Sequence, residues 1–265
     1  MKTKISITIE ESILREVDKI IDNLYIRNRS QAMEYLVSTS LGEKKTAVIL
    51  AGGSEEKLMI DGSFMISVKI REKTVLEYAV EKLRECGFRN IFIIARNNLL
   101  TKAFEILRDG AAYGVKVDYI EEKISKGTAT TIKLVKGKIN TRFLAVYGDI
   151  VFNNVNIGAL WDSHIKQTPI ATLMLTTSPK PSEKGTVSME GRKILQFVQK
   201  PKKSDIYLVF SPIFVAEPEL LEYMGTSLER DIFPKLAEKG LLQGYLSSGK
   251  EVHIHSLADV KKVKI

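Results

Sequence analysis

The sequence predicts an α/β protein in two parts: a short strand-helix-helix unit over residues 1–43, and a mostly parallel sheet with helices on both faces over residues 46–265. Three observations lead there. Lys4 to Ile9, "KISITI", alternates strictly before two stretches of helical spacing; from Thr46 onward apolar runs alternate with amphipathic stretches; and the first such run enters "LAGGSEEKL", a glycine turn after a buried strand. Of the 265 residues 44% are hydrophobic, and no apolar run reaches the ~20 residues of a membrane span. The charged, alternating N-terminus is unlike a signal peptide, so a soluble, cytoplasmic protein without membrane contact is expected. Cys86 is the only cysteine, which excludes an internal disulfide and a cysteine-based zinc site. A net charge of +8 admits a polyanionic partner.

In the first unit Ile5, Ile7 and Ile9 fall on one strand face and Lys4, Ser6 and Thr8 on the other. Ile13, Leu14, Val17, Ile20, Ile21 and Leu24 follow at helical spacing, and "SQAMEYLVSTSL" reads as a second helix with Ser30 at its cap and Gly42 past its end. A unit of roughly 45 residues encloses little core, and a lone edge strand leaves its backbone groups unpaired. Pairing with the same strand of a second chain cures both faults, so the sequence predicts a homodimer.

This pattern resembles the ribbon-helix-helix family of DNA-binding proteins across residues 3–41. The resemblance implies that paired strands enter the major groove of double-stranded DNA and that Lys4, Ser6 and Thr8 read base edges. It also implies that Ser30 and the free N–H groups of the second helix clamp a phosphate, with Arg29 adding charge, in a dimer or a pair of dimers. The plainer alternative is a dimerisation arm with a solvated outer face. Residues 1–45 hold eight basic and seven acidic side chains, so the arm is no basic tail.

Beyond the linker "GEKK" the buried strands read "TAVILA", "NIFIIA", "VKVDYI" and "RFLAVYGD", and the helices include "TVLEYAVEKLREC" and "TATTIKLVKGKI". Gly87 and Gly114 stand where helices stop. Ligands of such sheets bind beyond the carboxyl ends of the strands, which is where "LAGGSEEKL" lies.

Six motifs in order, "AVILAGGSEEKL", "KTVLEYAVEKLRECGFRNIFII", "GTAT", "LAVYGDIVF", "ILQFVQKPK" and "IFVAEPELLEYM" with "LERDIFPKLAEKGLLQGYL", resemble the sugar-phosphate nucleotidyltransferases over about residues 46–262. Members of that family join a sugar phosphate to a nucleoside triphosphate and release pyrophosphate. The resemblance implies a Rossmann-like fold. It places Gly52, Gly53 and Ser54 in the nucleotide loop, Gly127 and Thr128 in the base-contacting turn, Asp149 as the first Mg²⁺ carboxylate and Lys200 as the sugar-phosphate lysine. These are the expected contacts for a nucleotide, a sugar phosphate or a nucleotide sugar.

The chain departs from the family at several of the positions that handle charge. Glu55, Glu56 and Lys57 stand where the loop runs to an arginine, and two carboxylates near a polyphosphate repel it. Phe64 and Met65 stand at a Pro-Lys pair, with Lys69 nearby in another register; Gln199 replaces a glutamate, and Phe210, Ser211 and Pro212 replace an Asn-Ala-Gly turn. The second Mg²⁺ aspartate aligns with His253, and Mg²⁺ prefers oxygen ligands. His253 and His255, two apart on a strand, share a face; they could take Zn²⁺ with Asp149, or stand simply as sheet-face side chains. Together these departures predict no catalytic residues and no cofactor, with Mg²⁺ needed only by an active enzyme. The expected protein is a DNA-binding transcription regulator whose degenerate nucleotidyltransferase-like domain senses a ligand or drives oligomerisation. The alternative is an active sugar-phosphate nucleotidyltransferase carrying a regulatory or dimerisation arm.

Overall fold

The computed structural model describes residues 5–21, 26–40, 45–167 and 169–263. The chain divides into two compact units, Met1–Lys44 and Lys45–Ile265.

The first unit contains α1 (Glu11–Lys19) and α2 (Arg29–Ser40). Val17, Ile26 and Ala32 form its small core, with Ile20, Ile21, Met33 and Leu36 packed against them. Residues 5–10 form no strand, and Ile5 and Ile7 are 76% and 58% exposed. The expected strand is therefore not formed by one chain alone, because a strand needs the hydrogen bonds of a neighbour. Of the expected DNA readers, Ser6 and Thr8 are exposed on this segment, and Lys4 lies outside the described residues.

The start of α2 corrects a further expectation. Asn28 Oδ1 accepts from the Gln31 N–H at 3.0 Å and Gln31 Oε1 from the Arg27 N–H at 2.7 Å, so Asn28 caps the helix and Ser30 lies inside the first turn. Arg29 grips the carboxylate of Asp18 with Nε at 2.7 Å and Nη2 at 2.8 Å. Asn28 therefore holds the cap position expected of Ser30, and Arg29 is already paired with Asp18.

The second unit is built on nine strands: β1 (Thr46–Ala51), β2 (Asn90–Ala95), β3 (Lys116–Glu121), β4 (Phe143–Tyr147), β5 (Ala171–Thr177), β6 (Gly185–Glu190), β7 (Lys193–Gln199), β8 (Leu208–Ala216) and β9 (Leu242–Leu246). Their order in one sheet is β5-β9-β7-β6-β8-β4-β1-β2-β3. The run β4-β1-β2-β3 is parallel, and β8 pairs antiparallel with β4, β5 and β6. The mostly parallel sheet expected from the sequence is thus mixed. Gly191, at φ 57, joins β6 to β7 as a hairpin where a crossover helix would have kept the strands parallel.

β1 shows why these runs are apolar throughout. Ala47, Ile49 and Ala51 enter one core layer with α3 (Val75–Glu85), α4 (Asn97–Leu107) and α6 (Ile157–Gln167). Val48 and Leu50 enter the other with α5 (Thr128–Ile132) and α7 (Phe233–Glu238). A strand covered on both faces has no polar position to spare. α3 opens on a capping box, in which Thr74 Oγ1 accepts from the Glu77 N–H at 3.2 Å and the Glu77 carboxylate from the Thr74 N–H at 2.7 Å. The helix expected over Thr128–Ile139 is only α5 followed by a 3-10 turn at Lys133–Val135, since a threonine-rich "TATTI" favours helix weakly and Gly137 turns the chain at φ 77.

Candidate functional site

The strand order β3-β2-β1-β4 reverses direction between β1 and β4, and in open parallel sheets the crevice outside the carboxyl ends at such a point is where ligands bind. Gly52 and Gly53 follow β1; Gly148 and Asp149 follow β4. The two turns touch. Gly148 N donates to Leu50 O at 2.9 Å, and a Cβ on Gly148 would lie 2.8 Å from that of Ala51.

A buried carboxylate fills the hollow of the glycine turn. Glu122, directly after β3 and 2% exposed, accepts from the Gly53 N–H at 2.9 Å and from the Thr131 hydroxyl. A Cβ on Gly52 would meet Glu122 Oε2 at 2.6 Å, so a side chain here would have to displace Glu122. Gly53, at φ 129, adopts a backbone that favours glycine. Ser54 is exposed at the entry to the 3-10 turn Glu55–Leu58, where Asn98 Nδ2 donates to Glu55 Oε2 at 3.0 Å. Of the positions read as replacing a lysine, Met65 is buried in an apolar cluster and Lys69 is exposed.

Thr131 connects this hollow to the Gly127 turn, because its hydroxyl also lies 3.1 Å from Gly127 O. Gly127 has φ 135 and a Cβ there would be 2.6 Å from Thr226 O. The N–H of Ala129 donates to that same carbonyl at 2.9 Å. Thr128 Oγ1 donates to Glu229 Oε2 at 2.7 Å and accepts from the Leu228 N–H at 2.9 Å. Ser227 and Tyr147 hydroxyls donate to the same Glu229 carboxylate. Burial, together with that carboxylate, pushes the Tyr147 phenol well above its ordinary pKa. The Thr128 hydroxyl thus ties α5 to the 226–229 segment.

At the other side of the crevice Asp149, His253 and His255 converge. The short strands Ile150–Val151 and Val252–His253 pair antiparallel, and Ile254 N donates to Asp149 O at 2.8 Å. Asp149 Oδ2 lies 3.9 Å from His253 Nδ1 and 3.7 Å from His255 Nε2, and the two imidazoles stack with centroids 5.6 Å apart. Behind them Glu251 Oε1 lies 3.4 Å from His253 Nε2, while Ser211 Oγ donates to Glu251 Oε2 at 2.7 Å. Lys184 Nζ stands 3.2 Å from Glu251 Oε1 and 3.4 Å from His253 Nε2. Lys200, exposed and at φ 48, donates its backbone N–H to Lys184 O at 2.9 Å.

Charge neutrality governs the titration here. Burial alone would raise Asp149, but the hydrogen bond and charge of His253 outweigh it and hold the carboxyl low. Burial would lower His253; the carboxylates of Asp149 and Glu251 overcome it and push the imidazole up to about 9. Glu251, where burial is outweighed by His253, Lys184 and Ser211, is held down to about 2.

The structure brings the turns of Gly52, Gly53 and Asp149 together, and adds Glu122, Lys184, Glu229 and Glu251, which the sequence did not single out. Only Glu122 left a usable signal, a carboxylate immediately past a buried strand on the side where such sheets bind ligands. The Mg²⁺ implied by the resemblance prefers an octahedral shell of oxygen atoms. One carboxylate and two imidazoles do not fit it.

A doubly covered sheet with a glycine turn and an aspartate side by side at its switch point defines an open α/β protein with a crevice of the kind where ligands bind. The chain belongs to the nucleotidyl transferase family, whose profile matches residues 46–255. It is 28% identical over 196 residues to a putative mannose-1-phosphate guanyltransferase of Sulfolobus acidocaldarius, covering 72% of this chain and 54% of that one. It is 27% identical over 195 residues to a UTP–glucose-1-phosphate uridylyltransferase of Synechocystis sp., covering 66% and 50%. A putative glucose-1-phosphate thymidylyltransferase of Bacillus anthracis, crystallised with sucrose, shares the fold with TM-score 0.75 at 20% identity, covering 82% of this chain and 93% of that one. The chain spans about half the length of the curated relatives it matches. These relatives are named as enzymes, which overturns the expectation of a DNA-binding transcription regulator built on a domain that has given up chemistry. Among the described residues no helix is long and apolar enough to cross a membrane.

Proposed function

We propose that residues 46–265 form a sugar-phosphate nucleotidyltransferase domain. In the reaction a phosphate oxygen of the sugar 1-phosphate attacks the α-phosphorus of a nucleoside triphosphate, and the bond to the β-phosphate oxygen breaks to release pyrophosphate. The observation that carries this reading is the match of residues 46–255 to the nucleotidyl transferase family, with the Gly52–Gly53 turn and Asp149 on adjoining turns of the switch-point crevice. In this reading the nucleoside lies toward Gly52, Gly53, Ser54, Gly127 and the backbone around Thr128. Lys200 and Lys184 supply positive charge to the phosphates of the sugar side, where fixed cations stabilise the charge of an in-line displacement. Glu55, held by Asn98, stands as the cost to triphosphate affinity at the loop.

The test is pyrophosphate release from mannose 1-phosphate or glucose 1-phosphate with GTP, UTP or dTTP. Turnover that falls about tenfold or more in Lys200→Ala supports the reading. No pyrophosphate from any pair, across Mg²⁺, Mn²⁺ and Zn²⁺, refutes it.

A second reading concerns residues 1–43 and rests on the exposure of Ile5 and Ile7 on an unpaired segment. This unit acts as a dimerisation arm, its 5–9 segment becoming a strand by pairing with the same segment of a second chain. Light scattering of the whole chain should give a dimer, and Ile5→Asp with Ile7→Asp a monomer. A monomeric wild-type chain at high micromolar concentration would sink it.

A further inference from the structure

We propose that Asp149, His253 and His255 form a binding site for a divalent transition-metal ion of the zinc type, in place of the all-oxygen Mg²⁺ site that the family resemblance implies. One ligand atom from each residue lies within 4.8 Å of the others. A tetrahedral ion with bonds of about 2.0–2.2 Å holds its ligand atoms roughly 3.3–3.5 Å apart, so the 3.7 Å and 3.9 Å separations from Asp149 Oδ2 need only small movements to close. His255 is exposed and has the freedom to make them.

A second observation, independent of the three ligands, also points to a metal. A ligating histidine almost always has a carboxylate or carbonyl on its other nitrogen, which fixes the tautomer and aims the ring. Glu251 takes that place, with its Oε1 3.4 Å from His253 Nε2, and is itself nine-tenths buried and anchored by Ser211 and Lys184. That arrangement leaves Nδ1 of His253 for the ion. The backbone fixes the other side, because Ile254 N donates to Asp149 O and so locks the ligand strand to the β4 turn.

Three protein ligands leave a fourth tetrahedral position open, as in catalytic rather than structural zinc sites. Asp149 stands at the β1–β4 crevice, so a phosphate oxygen or a water is the class of ligand for that position. This last assignment rests on the proposed transfer reaction; metal binding itself does not.

The experiment is a titration of the full chain, stripped with chelator, with Zn²⁺, Co²⁺ and Mg²⁺ separately, followed by calorimetry and by the visible absorption of Co²⁺. The expected result is one Zn²⁺ or Co²⁺ per chain, tetrahedral Co²⁺ bands, and no Mg²⁺ uptake at equal concentration. His255→Ala, at an exposed position, should abolish the bands while leaving the thermal unfolding midpoint of the metal-free protein in place, and Glu251→Gln should weaken binding by about 10–100-fold. Mg²⁺ binding as tight as Zn²⁺, no Zn²⁺ uptake, or uptake that survives His253→Ala with His255→Ala would overturn the proposal. A chain that binds Zn²⁺ yet releases no pyrophosphate would refute the proposed reaction alone, and an active chain without a Zn²⁺ site would refute the metal site alone.

Discussion

Replacing Gly52 by alanine tests whether the glycine turn is shaped by Glu122. The new Cβ would lie 2.6 Å from Oε2, 2.9 Å from Cδ and 2.9 Å from Oε1 of a side chain held by the Gly53 N–H and the Thr131 hydroxyl. Glu122 must therefore move and give up both bonds. Each hydrogen bond to a charged group contributes ~1.5–3 kcal/mol, against ~0.4–1 kcal/mol gained by stiffening the unfolded chain, so the net cost is about 2–5 kcal/mol. In a Glu122→Ala background the obstacle is gone, and the same substitution should be neutral or stabilising by ~0.4–1 kcal/mol. Urea unfolding followed by Trp161 fluorescence suits the measurement. Trp161 is the only tryptophan and is buried against Phe88 in the second unit. The reasoning is refuted by an equal penalty in both backgrounds, read at unchanged m.

Three further expectations follow from the same geometry. Gly127→Ala combines a φ of 135 with a Cβ 2.6 Å from Thr226 O, and should cost at least ~2 kcal/mol and weaken nucleotide binding in a fluorescence titration. Glu229→Gln places an amide donor among the hydroxyls of Thr128, Tyr147 and Ser227, and should lower stability by ~1–3 kcal/mol in thermal unfolding. His164 is buried, with Nδ1 2.9 Å from Thr172 Oγ1 and Nε2 3.3 Å from Glu217; burial and the charge of Arg142 hold its pKa down to about 4. The unfolded chain takes a proton near pH 6.5 that the folded chain refuses until about 4, so stability is full above 6.5 and falls by up to ~3 kcal/mol toward pH 4. Glu217, raised by burial, offsets part of that loss at the acid end, and denaturant curves for His164→Gln should be flatter over this range.

Much of the second unit was legible because its signals are local. "TAVILA" is β1 to the residue, "NIFIIA" is β2, and "TVLEYAVEKLREC" contains α3. The cap of α2 was not legible, since Asn28 and not Ser30 receives the Gln31 N–H. The direction of β6 and β7 was not legible, since a parallel or antiparallel neighbour presents the same apolar faces to the core.

The sequence by itself determined the doubly covered sheet, the glycine turn at the carboxyl end of its first strand and Asp149 at the end of another strand, because periodicity and turn chemistry act over a few residues. Tertiary structure alone decided what surrounds them. Glu122 reaches Gly53 across 69 positions of chain and Glu251 reaches Ser211 across 40. Such partners are set by strand order and register, which no local pattern encodes. They turn the glycine turn from an empty phosphate loop into one wrapped around a carboxylate, and set two histidines, one on a short strand and one in the bend just past it, beside Asp149.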